Sequence, residues 1–324
     1  MTQATPPTAA ACPVDAFGTL AIIGLGLIGS SIARAVRAAG LPTRIVAHDG
    51  APAVRARVAE LGLADVVAND LATAVQDADL VILCTPVGTF GALAKGFGPH
   101  LKAGAIVSDV GSVKAAALAA IAPHLPDHAT LVPAHPVAGT ENSGPDAGFA
   151  ALFRNRWCIL TPPAEAPAVA VERLSDFWRA LGANVELMDA AHHDLVLAVT
   201  SHVPHLIAYT IVGTASDLEE VTKSEVIKFS AGGFRDFTRI AASDPTMWRD
   251  VFLTNRDAVL EILQRFNEDL TALQRAIRWG DGEALFNLFA RTRDIRRTII
   301  DAGQDTARPD FGREDPSPAT AGQA

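Results

Sequence analysis

Two kinds of hydrophobic pattern follow one another along the chain. In residues 18–189, short runs of Val, Ile and Leu alternate with Ala-rich stretches; the runs lie at 20–23, 44–49, 80–85, 105–108, 130–133, 157–160 and 184–187, with a shorter one at 65–68. These runs lack polar alternation, so both faces of each predicted strand are buried, as in a mostly parallel sheet with helices on both sides. In residues 190–302 the strand signal stops, and apolar residues recur at helical spacing over 194–216, 245–254, 256–279 and 283–300. Asp244-Pro245 reads as an N-cap followed by a first-turn proline, Asp281 as the cap of the last helix, and Pro204 as a kink. The flanks, 1–17 and 303–324, are aperiodic and rich in Ala, Pro and Gly, and are expected to be a disordered arm and tail.

The first strand runs directly into Gly24-Leu-Gly26-Leu27-Ile28-Gly29, and an Ala-rich helical segment follows. A strand, a glycine turn and a helix is the arrangement in which backbone N–H groups at a helix start meet a pyrophosphate. The second strand ends at Asp49, about 20 residues on, where an acid binds a ribose 2′-hydroxyl. A carboxylate there repels a 2′-phosphate, so the expected cofactor is NAD rather than NADP. The fold class that follows is α/β: a Rossmann-like, mostly parallel sheet domain, then an all-helical domain whose broad apolar faces suit packing on a second copy. Ligands of such sheets bind beyond the carboxyl ends of the strands. The informative residues are therefore Thr85-Pro86-Val87, Asp109-Val-Gly-Ser112-Val-Lys114 and His135-Pro-Val-Ala-Gly-Thr-Glu141.

Composition narrows the partners. With 49% hydrophobic and 19% charged residues over 324 positions the chain is that of a folded protein with substantial cores. Its net charge of -9 argues against nucleic acid or an anionic membrane as partner. An anionic substrate therefore needs a local cationic group set against the global field. Cys12, Cys84 and Cys158 are scattered and odd in number, which fits a reducing cytoplasm and no zinc site. The first residues carry no Lys or Arg and do not resemble a signal peptide, and no apolar run is expected to span a membrane.

Several side chains could carry chemistry. His135 follows a strand at the ligand edge, and imidazole is best poised for proton transfer near neutral pH. Ser112, in a neighbouring loop, could orient it or bind a substrate hydroxyl, and serves equally well as a helix cap. His192, His193, Asp194, His202 and His205 cluster where the helical half begins. They admit three readings: a metal site, polar contacts to a substrate, or solvated helix-face histidines. Arg235 and Arg239 follow a glycine pair, a placement suited to bidentate carboxylate capture or to surface pairing with Asp236 or Asp244. Trp248 fits core packing or a lid over a ligand.

Together these strings resemble the prephenate/arogenate dehydrogenase family of tyrosine biosynthesis. The resemblance rests on Gly24–Ser30, Asp109–Lys114, His135–Glu141, Ser201-His-Val-Pro-His205 and residues 233–241, in this order and at these separations. It implies a helical dimerisation domain, a likeness to homodimers, and NAD-dependent oxidative decarboxylation. It also implies His135 as the catalytic group at the ring hydroxyl and Ser112 as its orienting partner. Arg239 would be the carboxylate ligand, with His202, His205, Glu141, Asp236 and Trp248 lining the substrate pocket. Gly24, Gly26, Leu27, Ile28, Gly29, Asp49, Thr85 and Pro86 are the expected cofactor contacts. Within this reading the enzyme takes prephenate, arogenate or both. A dehydrogenase of the β-hydroxyacid type is the alternative that shares the architecture without needing the His135 string.

Overall fold

The computed structural model describes residues 17–217 and 231–301. The expected arm and tail, and Cys12, lie outside them apart from Phe17. The strands β1 (Thr19–Ile23), β2 (Arg44–His48), β3 (Val66–Val67), β4 (Leu80–Leu83), β5 (Ile106–Asp109) and β6 (Thr130–Leu131) form one sheet in the order β3-β2-β1-β4-β5-β6, parallel throughout. Side chains alternate between its two faces. Leu20, Ile22, Leu80, Ile82 and Ile106 enter one apolar core, and Ala21, Ile23, Val81, Leu83 and Val107 enter the other. This is why the runs read as continuous Val/Ile/Leu rather than alternating. The helices α1 (Leu27–Ala38), α2 (Pro52–Glu60), α3 (Leu71–Val75), α4 (Phe90–Phe97) and α5 (Lys114–Ile121) are the crossovers between these strands.

The register fixes the functional edge. Ile23 pairs with His48 and with Leu83, and Leu83 pairs with Asp109, so four strands end level. The residues that follow, Gly24, Asp49, Cys84 and Val110, leave the sheet along one line.

A second sheet departs from the single sheet expected. The strand β7 (Ala134–Pro136) pairs antiparallel with β8 (Trp157–Leu160), and β8 pairs parallel with β9 (Asn184–Leu187). The expected strand at 130–133 ends at Leu131, and His135 lies on β7 rather than in a loop. Ala134, Cys158 and Leu160 join the core of the first sheet together with Leu152, Phe153 and Trp178, the last from α6 (Ala168–Ala180).

The helices α7 (Ala190–Leu197) and α8 (Val203–Asp217) are joined by a π-helical turn at Ala198–His202. Pro204 lacks the N–H that an unbroken α-helix would use here, and the wider turn absorbs the mismatch. The expectation that no run could span a membrane needs correction. Ala190–Asp217 spans 28 residues with hydropathy 1.6, long and apolar enough by length and composition. Its polar side chains point the other way: His193, Asp194 and His202 are buried within the protein, while Leu195, Val199, Ile211 and Val212 face outward.

The next helices are α9 (Gly232–Thr238), a 3-10 turn at Arg239–Ala242, and α10 (Pro245–Thr254), whose start Asp244 caps by accepting the Met247 N–H at 2.9 Å. The chain separates into two compact units between Asn255 and Arg256. The early helices thus belong to the sheet-bearing unit. Their attachment is specific: Trp248 and Val251 pack on Val113, and Asp194 accepts the Lys114 and Ala115 N–H groups at 2.7 and 3.0 Å, capping α5. The second unit is a hairpin of α11 (Arg256–Trp279) and α12 (Gly282–Asp301), turning at Gly280 (φ +68) with Asp281 capping the Ala284 N–H at 3.0 Å. Ile277, Trp279, Phe286, Phe289 and Ile295 stand exposed on it.

Candidate active site

A cavity of about 730 Å³ opens along the carboxyl edge of the sheet. The glycine turn forms one end. Gly24 has φ +98 and is packed on Cys84 and Thr85, and a Cβ on Gly29 would lie 2.1 Å from the Gly24 carbonyl oxygen, so each position accepts glycine alone. Gly26, in contrast, has nothing within 4 Å of where its Cβ would be, and it opens into the cavity with Leu27 and Ile28. No side chain caps α1 and no acid occupies its first turn, leaving the positive end of its dipole to a ligand. Asp49 is held beside this turn, its carboxylate accepting the Leu25 N–H at 3.0 Å and the Ala51 N–H at 2.9 Å. A close turn, open space at the middle glycine and a fixed acid fit a dinucleotide with a free ribose 2′-hydroxyl. Thr85 and Pro86 continue the wall.

The far end of the cavity is lined by Ser112, His135, Glu141, His205, Arg239 and Trp248. Thus His135 from the small sheet and Arg239 from the helical region share one cavity. His135 is 7% exposed, and its Nδ1 lies 2.9 Å from His193 Nε2, the two rings meeting edge to face. His193 Nδ1 lies 2.8 Å from Asp194 Oδ1. Burial pushes His135 well below the usual imidazole range, and the neighbouring His193, Lys114 and His202 add to it by like-charge repulsion. Burial lowers His193 too, against the opposing hydrogen bond to Asp194. Both imidazoles are therefore neutral at pH 7.

Arg239 is of the opposite kind. Its side chain is 47% exposed and its Nη1 donates to Glu141 Oε2 at 3.0 Å. His205 stacks on Trp248 with ring centroids 3.7 Å apart and hydrogen-bonds through Nδ1 to the Ser201 carbonyl at 2.8 Å. Burial lowers its pKa, and burial also pushes the neighbouring His202 down to about 4.

Two expected pocket residues lie elsewhere. His202 is buried behind the cavity wall, its Nδ1 3.0 Å from Asn255 Nδ2, because the π-helical turn rotates it inward. Asp236 is exposed and paired with Arg235 at 3.0 Å, off the cavity lining. Ser112 reaches the cavity, but the hydrogen bond at His135 Nδ1 goes to His193 rather than to Ser112. Lys114 has a structural role that the sequence does not single out. Its buried ammonium ion-pairs with Asp109 and donates to the Ala134 carbonyl at 2.7 Å, fixing the strand that carries His135. Asp194 was visible in the sequence as part of the histidine cluster; an acid beside a histidine at the start of a helix is the signal that it caps or orients something. Among the described residues no group of three or more His, Cys, Asp or Glu side chains could hold a metal ion.

Comparison with known proteins places this geometry. Residues 32–187 match the model for the nucleotide-binding domain of prephenate dehydrogenase, and 189–291 match that for its dimerization domain. The chain is 46% identical to a cyclohexadienyl dehydrogenase of Zymomonas mobilis over 87% of its own length and 96% of the relative's. It is 34% identical to a prephenate dehydrogenase of Bacillus subtilis over 86% and 75% of the two chains. Among solved structures, prephenate dehydrogenase of Aquifex aeolicus, in complex with hydroxyphenyl propionate and NAD+, superposes with a TM-score of 0.81 at 33% identity, covering 87% of this chain and 98% of that one. The chain belongs to the prephenate dehydrogenase family.

Proposed function

We propose that this cavity carries out NAD-dependent oxidative decarboxylation of prephenate to 4-hydroxyphenylpyruvate, and of arogenate to tyrosine, as the names of the relatives suggest. One observation carries the assignment of roles: a buried neutral imidazole and an accessible guanidinium line the same cavity as the glycine turn. NAD, held at Gly24, Gly26, Gly29 and Asp49 with Leu27, Ile28, Thr85 and Pro86 alongside, supplies the hydride acceptor. His135 accepts the proton of the ring hydroxyl as its carbon becomes a ketone. Loss of CO₂ from the opposite ring carbon then makes the ring aromatic. Arg239 binds a substrate carboxylate, exchanging Glu141 for it; Ser112, on the same cavity lining, binds the hydroxyl, and His205 and Trp248 shape the ring site. His202 and Asp236 act from outside the cavity.

The helices from about residue 190 onward carry the dimerisation role, those up to Asn255 within the sheet-bearing unit and the rest in the hairpin beyond it. The outward apolar side chains of α7, α8 and the hairpin α11–α12 suit a homodimer, and the setting is the cytoplasm. The direct test is NADH appearance at 340 nm, with kcat/KM compared for prephenate and arogenate and for NAD and NADP. A rise with NAD and either cyclohexadienyl substrate is expected. Absence of turnover with both would overturn the reading.

A further inference from the structure

We propose that His193, anchored by Asp194, is a positioning residue that fixes His135 as the tautomer with its proton on Nδ1 and a free lone pair on Nε2. The inference rests on the reading of His135 as proton acceptor and deepens it. It follows from counting protons along a buried chain. Asp194 Oδ1 accepts the Lys114 N–H at 2.7 Å, and Oδ2 accepts the Ala115 N–H at 3.0 Å. With both oxygens occupied as acceptors, the carboxylate can only accept from His193 Nδ1, 2.8 Å away. A neutral His193 then has its proton on Nδ1 and a lone pair on Nε2. That lone pair lies 2.9 Å from His135 Nδ1, which must be the donor. The proton of a neutral His135 is thereby committed, and Nε2 is the nitrogen left for the cavity that the ring lines. The opposite tautomer would present an N–H to the substrate hydroxyl and could not take its proton.

The surroundings hold this order in place. Lys114 on α5 donates to Asp109 and to the Ala134 carbonyl, so its ammonium is held by those two acceptors. Asn255 Nδ2 donates to the Asp194 carbonyl at 2.8 Å and lies 3.0 Å from His202 Nδ1, tying the end of the sheet-bearing unit to the same point. Of the other titratable groups near the pair, Asp109 holds Lys114 through Oδ2 and His202 meets Asn255 through Nδ1. When His135 takes up a proton at Nε2, the imidazolium still donates through Nδ1 to His193, with the Asp194 carboxylate behind it. The arrangement follows the logic of a triad in which a carboxylate sets the tautomer of a base, here through an intervening imidazole.

The experiment has two arms. In uniformly ¹⁵N-labelled full-length protein, two-bond ¹H–¹⁵N correlations identify the protonated nitrogen of His135; Nδ1–H is expected and Nε2–H overturns the inference. This arm needs no variant to fold. In the second arm, His193→Leu removes the acceptor and is expected to lower kcat about 100-fold while KM for prephenate stays within about twofold. His193→Gln, whose amide oxygen can stand where Nε2 stood, is expected to recover about tenfold of that loss. A leucine variant with near-normal kcat, or a glutamine variant no better than leucine, overturns the inference. If His135→Asn itself kept its turnover, the proton-acceptor reading would fall, while the tautomer measured in the first arm would stand.

Discussion

The two polar groups that meet in the cavity differ in almost every physical respect. His135 is buried on a short strand, and its ring is oriented by a second imidazole and a carboxylate, all within hydrogen-bond distance. Arg239 sits on a 3-10 turn with nearly half its side chain exposed, paired to an acid on a different segment. The histidine side costs the protein desolvation and gains a fixed protonation state. The arginine side is screened by solvent, so its pairing with Glu141 is worth little and can be given up for a substrate carboxylate. The chemical step draws on groups whose positions folding has already settled. Capture draws on a cation that exchanges partners.

This contrast can be broken at either side. The largest effect is expected from His135→Asn, which should lower kcat by about 10²- to 10⁴-fold with KM for prephenate little changed, read by steady-state kinetics at saturating NAD. A matching rise in KM would make His135 a binding group and erase the distinction. Arg239→Gln should do the reverse, raising KM about 10- to 100-fold for the loss of a hydrogen bond to a charged partner, with a smaller change in kcat. Unchanged KM would remove Arg239 from the substrate. The pH profile sharpens the buried side. Because the base works unprotonated and burial holds its pKa low, activity is lost only as pH falls through that depressed value. At pH 6 kcat/KM should remain near its plateau, where a histidine of ordinary pKa would leave about a quarter. The smallest change is expected from His205→Gln, which gives up the stacking on Trp248 and should raise KM about fivefold.

What could be read in advance divides along local and non-local lines. Most of the strand runs, the glycine turn and the caps at Asp244 and Asp281 depend on neighbours within a few residues, and these lie where the sequence puts them, the run at 130–133 excepted. The second sheet is different. His135 lies on a strand only because β8 returns antiparallel beside it, a pairing that no periodicity in three residues announces. The π-helical turn likewise needs the packing around Pro204, and it decides that His205 lines the cavity while His202 turns inward. Lys114 stands in the sequence only as the end of the Asp109 string, yet it is wholly buried, because its partners Asp109 and Ala134 come from two separate strands. Asp194 stood in view among the histidines, but the helix it caps begins 80 residues earlier. Sequence spacing locates the ingredients of the site, and long-range pairing decides which of them touch.

The buried Lys114–Asp109 pair constrains how this chain can change over evolutionary time. A neutral residue at either position would strand a lone charge in the interior at a cost of about 3–5 kcal/mol, a large share of a domain's whole stability. Replacing both together by apolar residues could be tolerated energetically, but it would also release the carbonyl of Ala134 and with it the strand beside the reacting base. Positions 109 and 114 are therefore expected to drift as a couple or not at all, and selection for turnover guards an ion pair that no substrate ever meets.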